Sequence, residues 1–319
     1  MALRLRSAVR SGMAKKGDKM KPKVALVKGG NRAENIDKSL RLLGDEINLK
    51  GKKNVHVKVN FSSRDNQLGA THVNAVRALL KFLKERYAGK ITIAESTWGP
   101  TLPRYEQFGY AGLEKEFGVE LIDLNKGRWE LVEVYDAELH PMALHFSQYV
   151  IDSDYRIAIG PAKTHDFVGV TLSIKNLAMG GLRDAGGDKR KMHQGYPVLN
   201  LNIYLLAKAY PLQLSVIDGY IGMEGDGPVS GKAKEWGVAV SSCEPVAADC
   251  LAAQLMGFSL LDAGYLWYCR KKGLGVGEMD EMEIVGTNPI DCYRKFRPHS
   301  TFEAQKNWQD ERINKILGI

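Results

Sequence analysis

No apolar run in this chain approaches the roughly 18 to 20 residues that a membrane-spanning helix needs; stretches such as Ile203–Leu206 stop far short. A basic leader followed by an apolar stretch is also lacking, so secretion is not expected. The chain reads as cytoplasmic, with its Arg-rich N-terminus leaving organelle targeting open. Cysteine is scarce. Cys243, Cys250, Cys269 and Cys292 all fall in the last third, with no C-x-x-C pair among them. Ferredoxin-type clusters need closely spaced thiolates, so no iron–sulfur cluster is expected. Cys250, beside Leu251 and Ala252, reads instead as a small buried hydrophobe. Fixed-period repeats are absent too, which excludes solenoids.

What is present is ordinary for a globular chain. With 44% hydrophobic and 26% charged residues among 319, a sizeable core is within reach. The net charge of +8 suggests a nucleic-acid partner until its distribution is read. Residues 1–23 hold eight basic side chains against Asp18 alone, which leaves the body close to neutral. Nucleic-acid binding is therefore not expected apart from that tail, and residues 1–22 read as a solvated, disordered terminus.

From Val24 onward, strand-like and helix-like segments alternate. In Val55–Asn60 the valines Val55, Val57 and Val59 alternate with His56, Lys58 and Asn60, the period of a strand. Val73, Val76, Leu79, Leu80 and Leu83 recur at helical spacing. Strand-helix-strand order of this kind predicts an α/β fold, a mostly parallel sheet with helices on both faces. Two lobes with a cleft between them are expected, an α/β core lobe over residues 23–205 and a second lobe over 206–319.

Ligands of α/β sheets gather at strand ends, which singles out four segments. Lys58 and Asn60 can hold a phosphate or carboxylate, or can decorate the open face of an amphipathic strand. Glu95 and Ser96, in the run AESTWGP, can contact a substrate hydroxyl or cap the following turn. Lys163 and His165 close the run GPAKTH, and Thr171, Lys175 and Asn176 follow at what reads as helical spacing. There Lys175 interrupts an apolar stretch and would need an anionic partner if buried, and His165 would precede a helix N-terminus. A snorkelling lysine and a satisfied core histidine fit the same residues. The glycine-rich stretch Asp218–Lys232 does not match a phosphate loop, because five residues separate Gly225 from Gly231 and Ala233 follows Lys232.

Taken in order, KVN, IAES, IGPAKTH, VTLSIKNL, DGYIGMEGDGPVSG and EPVAADCLAAQLMG resemble the family known as domain of unknown function 362. Many members of that family carry ferredoxin-type modules that this chain's cysteines cannot form. A more distant similarity links the histidine–lysine spacing to the nickel-dependent lactate racemases. That resemblance matches His165, Lys175 and His193, and implies a nickel-pincer-type nucleotide or another metal cofactor anchored on Lys175, with His193 as metal ligand. Beside these, the strand-end reading places Asn176 and Thr171 with Lys175 at the cofactor, His165 and Lys163 as catalytic groups, and Lys58, Asn60, Glu95 and Ser96 as substrate contacts. Trp98 stands where a second catalytic histidine would fall, which leaves a one-base racemase, epimerase or oxidoreductase. The expected function is a cofactor-dependent enzyme acting on a small anionic hydroxy- or oxo-acid; the alternative is a non-catalytic binding protein for a phosphorylated or anionic ligand.

Overall fold

The structure is a computed structural model that describes residues 20–319. The expected tail, residues 1–22, lies outside the described residues except for its last three positions. The strands are β1 (Lys23–Lys28), β2 (Asn54–Lys58), β3 (Lys90–Glu95), β4 (Glu120–Asp123), β5 (Trp129–Tyr135), β6 (Pro141–Ser147), β7 (Tyr155–Thr164), β8 (Val170–Thr171), β9 (Leu214–Glu224), β10 (Lys232–Ser242) and β11 (Glu283–Gly286). Eight of them form one sheet in the order β11-β1-β10-β9-β7-β2-β3-β4, with β8 paired antiparallel to the end of β7. Pairings are parallel from β9 through β7, β2 and β3 to β4, and again between β1 and β11. The β9–β10 hairpin and the β1–β10 pair are antiparallel. The sheet is thus mixed but mostly parallel, an α/β fold flanked by helices. Strands β5 and β6 form a separate hairpin.

Period-2 alternation sends each strand's side chains to two cores. Ala25, Val55, Val57, Ile157, Ile159 and Val216 meet the helices Arg32–Leu43 and Val73–Lys84 on one face. Val24, Leu26, Ala158, Ile217, Val238 and Val240 meet the helices Ser173–Gly180, Tyr196–Ala209, Pro245–Leu255 and Gly264–Lys271 on the other. Each Val or Leu fully buried in this way contributes about 1.5–3 kcal/mol. Because both faces are covered, the polar set of β2 is buried as well: His56 and Lys58 lie inside with the valines.

The expected lobe boundary at 205/206 falls within the helix Tyr196–Ala209, and strands from either side of it share the sheet, β9 on β7 and β10 on β1. A split at that point would cut a helix and a continuous hydrogen-bonded ladder, so the two-lobe division is corrected to a single shared sheet. Residues 166–172 also differ from the helical reading. Gly169, at φ +73°, turns the chain so that the His165 N–H donates to the Gly169 carbonyl at 2.9 Å, and Val170–Thr171 then run back along Lys163–Thr164. Positive φ is cheap only for glycine, and here it makes a hairpin where the apolar spacing suggested a helix.

The helix that carries Lys175 therefore starts at Ser173. Leu172 offers no side-chain cap, and the buried Asp249 carboxylate does that work from the helix Pro245–Leu255, accepting the Ser173 and Ile174 N–H groups at 3.0 and 2.8 Å. Asp249→Ala leaves two buried helix-terminal amides unpaired and should cost about 1–3 kcal/mol in urea unfolding. An unchanged midpoint would show that the cap is not supporting this helix.

Candidate functional site

At the carboxyl ends of β2, β3 and β7 the loops converge on a cavity of about 410 Å³. Its wall takes Lys58, Asn60 and Ser62 from β2 and the loop after it, Glu95, Ser96 and Trp98 from β3 and the loop after it, and His165 from just beyond β7. Thr171, Lys175, Asn176, Lys189 and His193 follow, and all the other wall residues except Pro228 and Val229 also precede residue 206. The cavity therefore opens at strand ends of one sheet rather than between two lobes.

Of the ten residues singled out from sequence, nine line this cavity, and Lys163 lies directly behind it. The fully buried Lys163 ammonium donates to Asn60 Oδ1 at 2.7 Å, Ser62 Oγ at 2.6 Å and the Gly69 carbonyl at 3.2 Å. All three of its protons are thus engaged by the chain. Glu95 is occupied too, accepting from Lys58 Nζ at 2.7 Å and from the Phe61 and Ser96 amides. The Ser96 hydroxyl lies 2.8 and 3.0 Å from the carbonyls of Gly180 and Leu182, which share its one proton. Asn176 Oδ1 accepts from Lys58 and Asn60, both at 3.1 Å, and so ties the site helix to β2. Lys58 reaches that position only because residue 180 is glycine; a Cβ there would overlap the lysine side chain.

Lys175 is different. It is 6% exposed, it faces the cavity, and its ammonium has no hydrogen-bond or ion-pair partner among the described residues. Burial pushes its pKa down to about 8, against an upward pull from Asp166 and a further downward push from Lys189. Lys189 is also held near 8 by burial, and donates to the Ser96 carbonyl. Lys163 falls to about 7 through burial and then through Lys175.

The two cavity histidines hold opposite tautomers. His165 Nδ1 accepts the Phe167 amide at 3.0 Å, and that amide proton is permanent, so the neutral ring carries its own proton on Nε2. Asp166 Oδ1 also lies 3.0 Å from Nδ1, near enough for an ion pair but not aligned with the ring for an N–H···O hydrogen bond, so the amide decides the tautomer. Burial, followed by Lys175, holds the His165 pKa well below its ordinary value. His193 Nδ1 faces the Lys189 carbonyl at 2.8 Å, a partner that can only accept, so its Nε2 keeps a free lone pair. The two ring centroids are 6.4 Å apart.

Sequence reading missed Lys189, Asp249 and Gln305. Lys189 sits in the run DKRK, which looks like a solvated charge cluster until the short helix Asp188–Met192 turns it inward. Gln305 braces the His165 loop, donating to the His165 carbonyl at 2.8 Å and accepting the Gly169 N–H at 2.7 Å. Nothing local to Gln305 signals that role. His72 is the N-cap of the helix Val73–Lys84 and lies off the cavity.

The family model described as Domain of unknown function (DUF362) matches residues 55–254, a span that contains every residue of the cavity wall. This chain belongs to the DUF362 family. A thylakoid-associated protein of Synechocystis sp. is 25% identical over 195 residues, covering 58% of this chain and 57% of that protein. Among solved structures, the lactate racemase apoprotein of Thermoanaerobacterium thermosaccharolyticum is similar at 13% identity and a TM-score of 0.47, over 73% of this chain and 56% of that one. A Thermotoga maritima protein is similar at 13% identity and a TM-score of 0.45, over 67% of this chain and 56% of that one. The DUF362 chain thus spans little more than half the length of each of these relatives.

The donor set does not fit a metal held by the protein. Among the described residues no three His, Cys, Asp or Glu side chains are grouped as ligands, and the charged groups acting on His193 are the cationic Lys175 and Lys189 against the single carboxylate of Asp166. The wall suits anionic oxygens instead. No described helix is long and apolar enough to cross a membrane.

A buried lysine with a lowered pKa leaves a signature in stability. Between about pH 8 and 10.5 the unfolded chain keeps the Lys175 proton that the folded chain has lost, so unfolding free energy rises with pH through that window. The stability difference, wild type minus Lys175→Met, should climb by roughly 1.4 kcal/mol per pH unit between pH 8 and 10 and stay flat below pH 7. A pH-independent difference in urea melts would contradict the burial of a charged ammonium here.

Proposed function

We propose that the cavity binds a small anionic hydroxy- or oxo-acid through Lys175, and that the chain is an enzyme acting on it. One observation carries this reading: a buried ammonium with no partner among the described residues, on the wall of a cavity large enough for such a ligand. An unpaired buried cation is costly, and a carboxylate or phosphate oxygen relieves that cost with a charge-assisted hydrogen bond. Lys58, Lys163 and Asn176 are better read as the frame of the site than as ligand contacts, because they are already bonded to one another or to Asn60 and Glu95. Glu95 and Ser96 belong to the same frame. Lys189, with a single carbonyl partner, is the natural second contact for a ligand's anionic end.

Calorimetric titration with a panel of 2-hydroxy and 2-oxo acids tests the reading. Binding should be tightest below about pH 8, where Lys175 is charged in the free protein, and should weaken up to tenfold per pH unit above it. Lys175→Met should weaken binding at least tenfold, and Lys175→Arg should retain part of it. Equal affinity in the methionine variant would sink the proposal. Binding without turnover across the panel would assign the cavity to a carrier.

A further inference from the structure

From the opposed tautomers of the two cavity histidines we infer a specific activity: reversible proton transfer at the carbon next to the ketone of a bound 2-oxo acid, with His193 as base and His165 as hydrogen-bond donor to the ketone oxygen. The inference rests on the reading of the cavity as an oxo-acid site. Its own support is geometric. His193 is turned by the Lys189 carbonyl so that Nε2 is the nitrogen able to accept a proton. His165 is turned by the Phe167 amide so that Nε2–H is the nitrogen able to donate, and the Nδ1 lone pair it would need as a base is taken. Both rings border the same cavity as Lys175, and their centroids, 6.4 Å apart with planes inclined by 23°, are within reach of one small ligand.

The step balances without an oxidant or reductant. The C–H bond adjacent to the ketone breaks, and its proton passes to the lone pair on His193 Nε2. The C–H electron pair becomes the new carbon–carbon double bond, and the carbonyl π pair moves onto the oxygen. That enolate oxygen is held by His165 Nε2–H, a donor in place before charge develops. Return of a proton from the His193 imidazolium to carbon restores the ketone, so the net result is exchange of that hydrogen with solvent. A neutral imidazole donor suits the task, since a charged one would surrender its proton and end the cycle.

The test uses the full chain with 2-oxobutanoate in deuterated water, following loss of the hydrogen signal next to the ketone by NMR, with binding measured in parallel. His193→Asn keeps an amide that can donate to the Lys189 carbonyl but removes Nε2. Exchange should fall at least a hundredfold, with affinity changed less than threefold. His165→Asn keeps an acceptor for the Phe167 amide and removes the Nε2 donor, and exchange should fall tenfold or more. Nitrogen-15 spectra of the unliganded protein should show His193 protonated at Nδ1 and His165 at Nε2. Three results overturn the inference while leaving the cavity an oxo-acid site: tight binding with no exchange, exchange undiminished in His193→Asn, or the opposite tautomers. Borohydride trapping of the acid on Lys175 would also overturn it, by making an enamine the route. Absence of any 2-oxobutanoate binding would instead refute the reading on which the inference rests.

Discussion

The arrangement depends on a shortage of negative charge. Four lysines, Lys58, Lys163, Lys175 and Lys189, are buried around the carboxyl ends of β2, β3 and β7, and the buried carboxylate among them, Glu95, bonds to Lys58. Lys163 is accommodated by neutral acceptors, which spread its charge over Asn60, Ser62 and a carbonyl. Lys175 receives neither. An interior that leaves one ammonium unmatched is unfavourable for the free protein and favourable for whatever anion enters, which is the balance expected of a binding site rather than of a core.

The surrounding structure holds that unmatched charge in place. Asp249 pins the start of the site helix from a neighbouring helix, Asn176 ties the same helix to Lys58 and Asn60, and Gln305 reaches from the far end of the chain to clamp the His165–Gly169 turn. Each bond joins segments distant in sequence. The histidines gain their tautomers from the same economy of backbone partners: an amide for one ring, a carbonyl for the other. Two chemically identical side chains thereby become a donor and an acceptor.

Much of the fold was legible because period and composition are local. Alternating valines in β2 and the helical stripe of Val73–Lys84 read correctly, as did the strand-end motifs, since parallel strands put their loops on one edge. The helical reading of residues 166–172 failed because Gly169 reverses the chain, a conformational fact that apolar spacing does not carry. The lobe boundary failed because β1 pairs with β10 and β11, contacts between the two ends of the described chain that no segment announces. Nine of the ten residues singled out lie on the cavity wall: Lys58, Asn60, Glu95, Ser96 and His165 were conspicuous as polar groups at strand ends, whereas His193 was named only through the racemase resemblance. Lys189 was hidden by its basic neighbours, and Asp249 by an otherwise apolar helix.

The titration of Lys175 itself shows whether it is a buried ammonium held for an anion. With lysine labelled at the ε-carbon and Lys175 assigned by substitution, its NMR signal should titrate near pH 8 in the free protein and move upward when a 2-oxo acid binds. A midpoint at the ordinary lysine value of 10.5, unmoved by the acid, would mean that the side chain lies in water and that the site described here is not one.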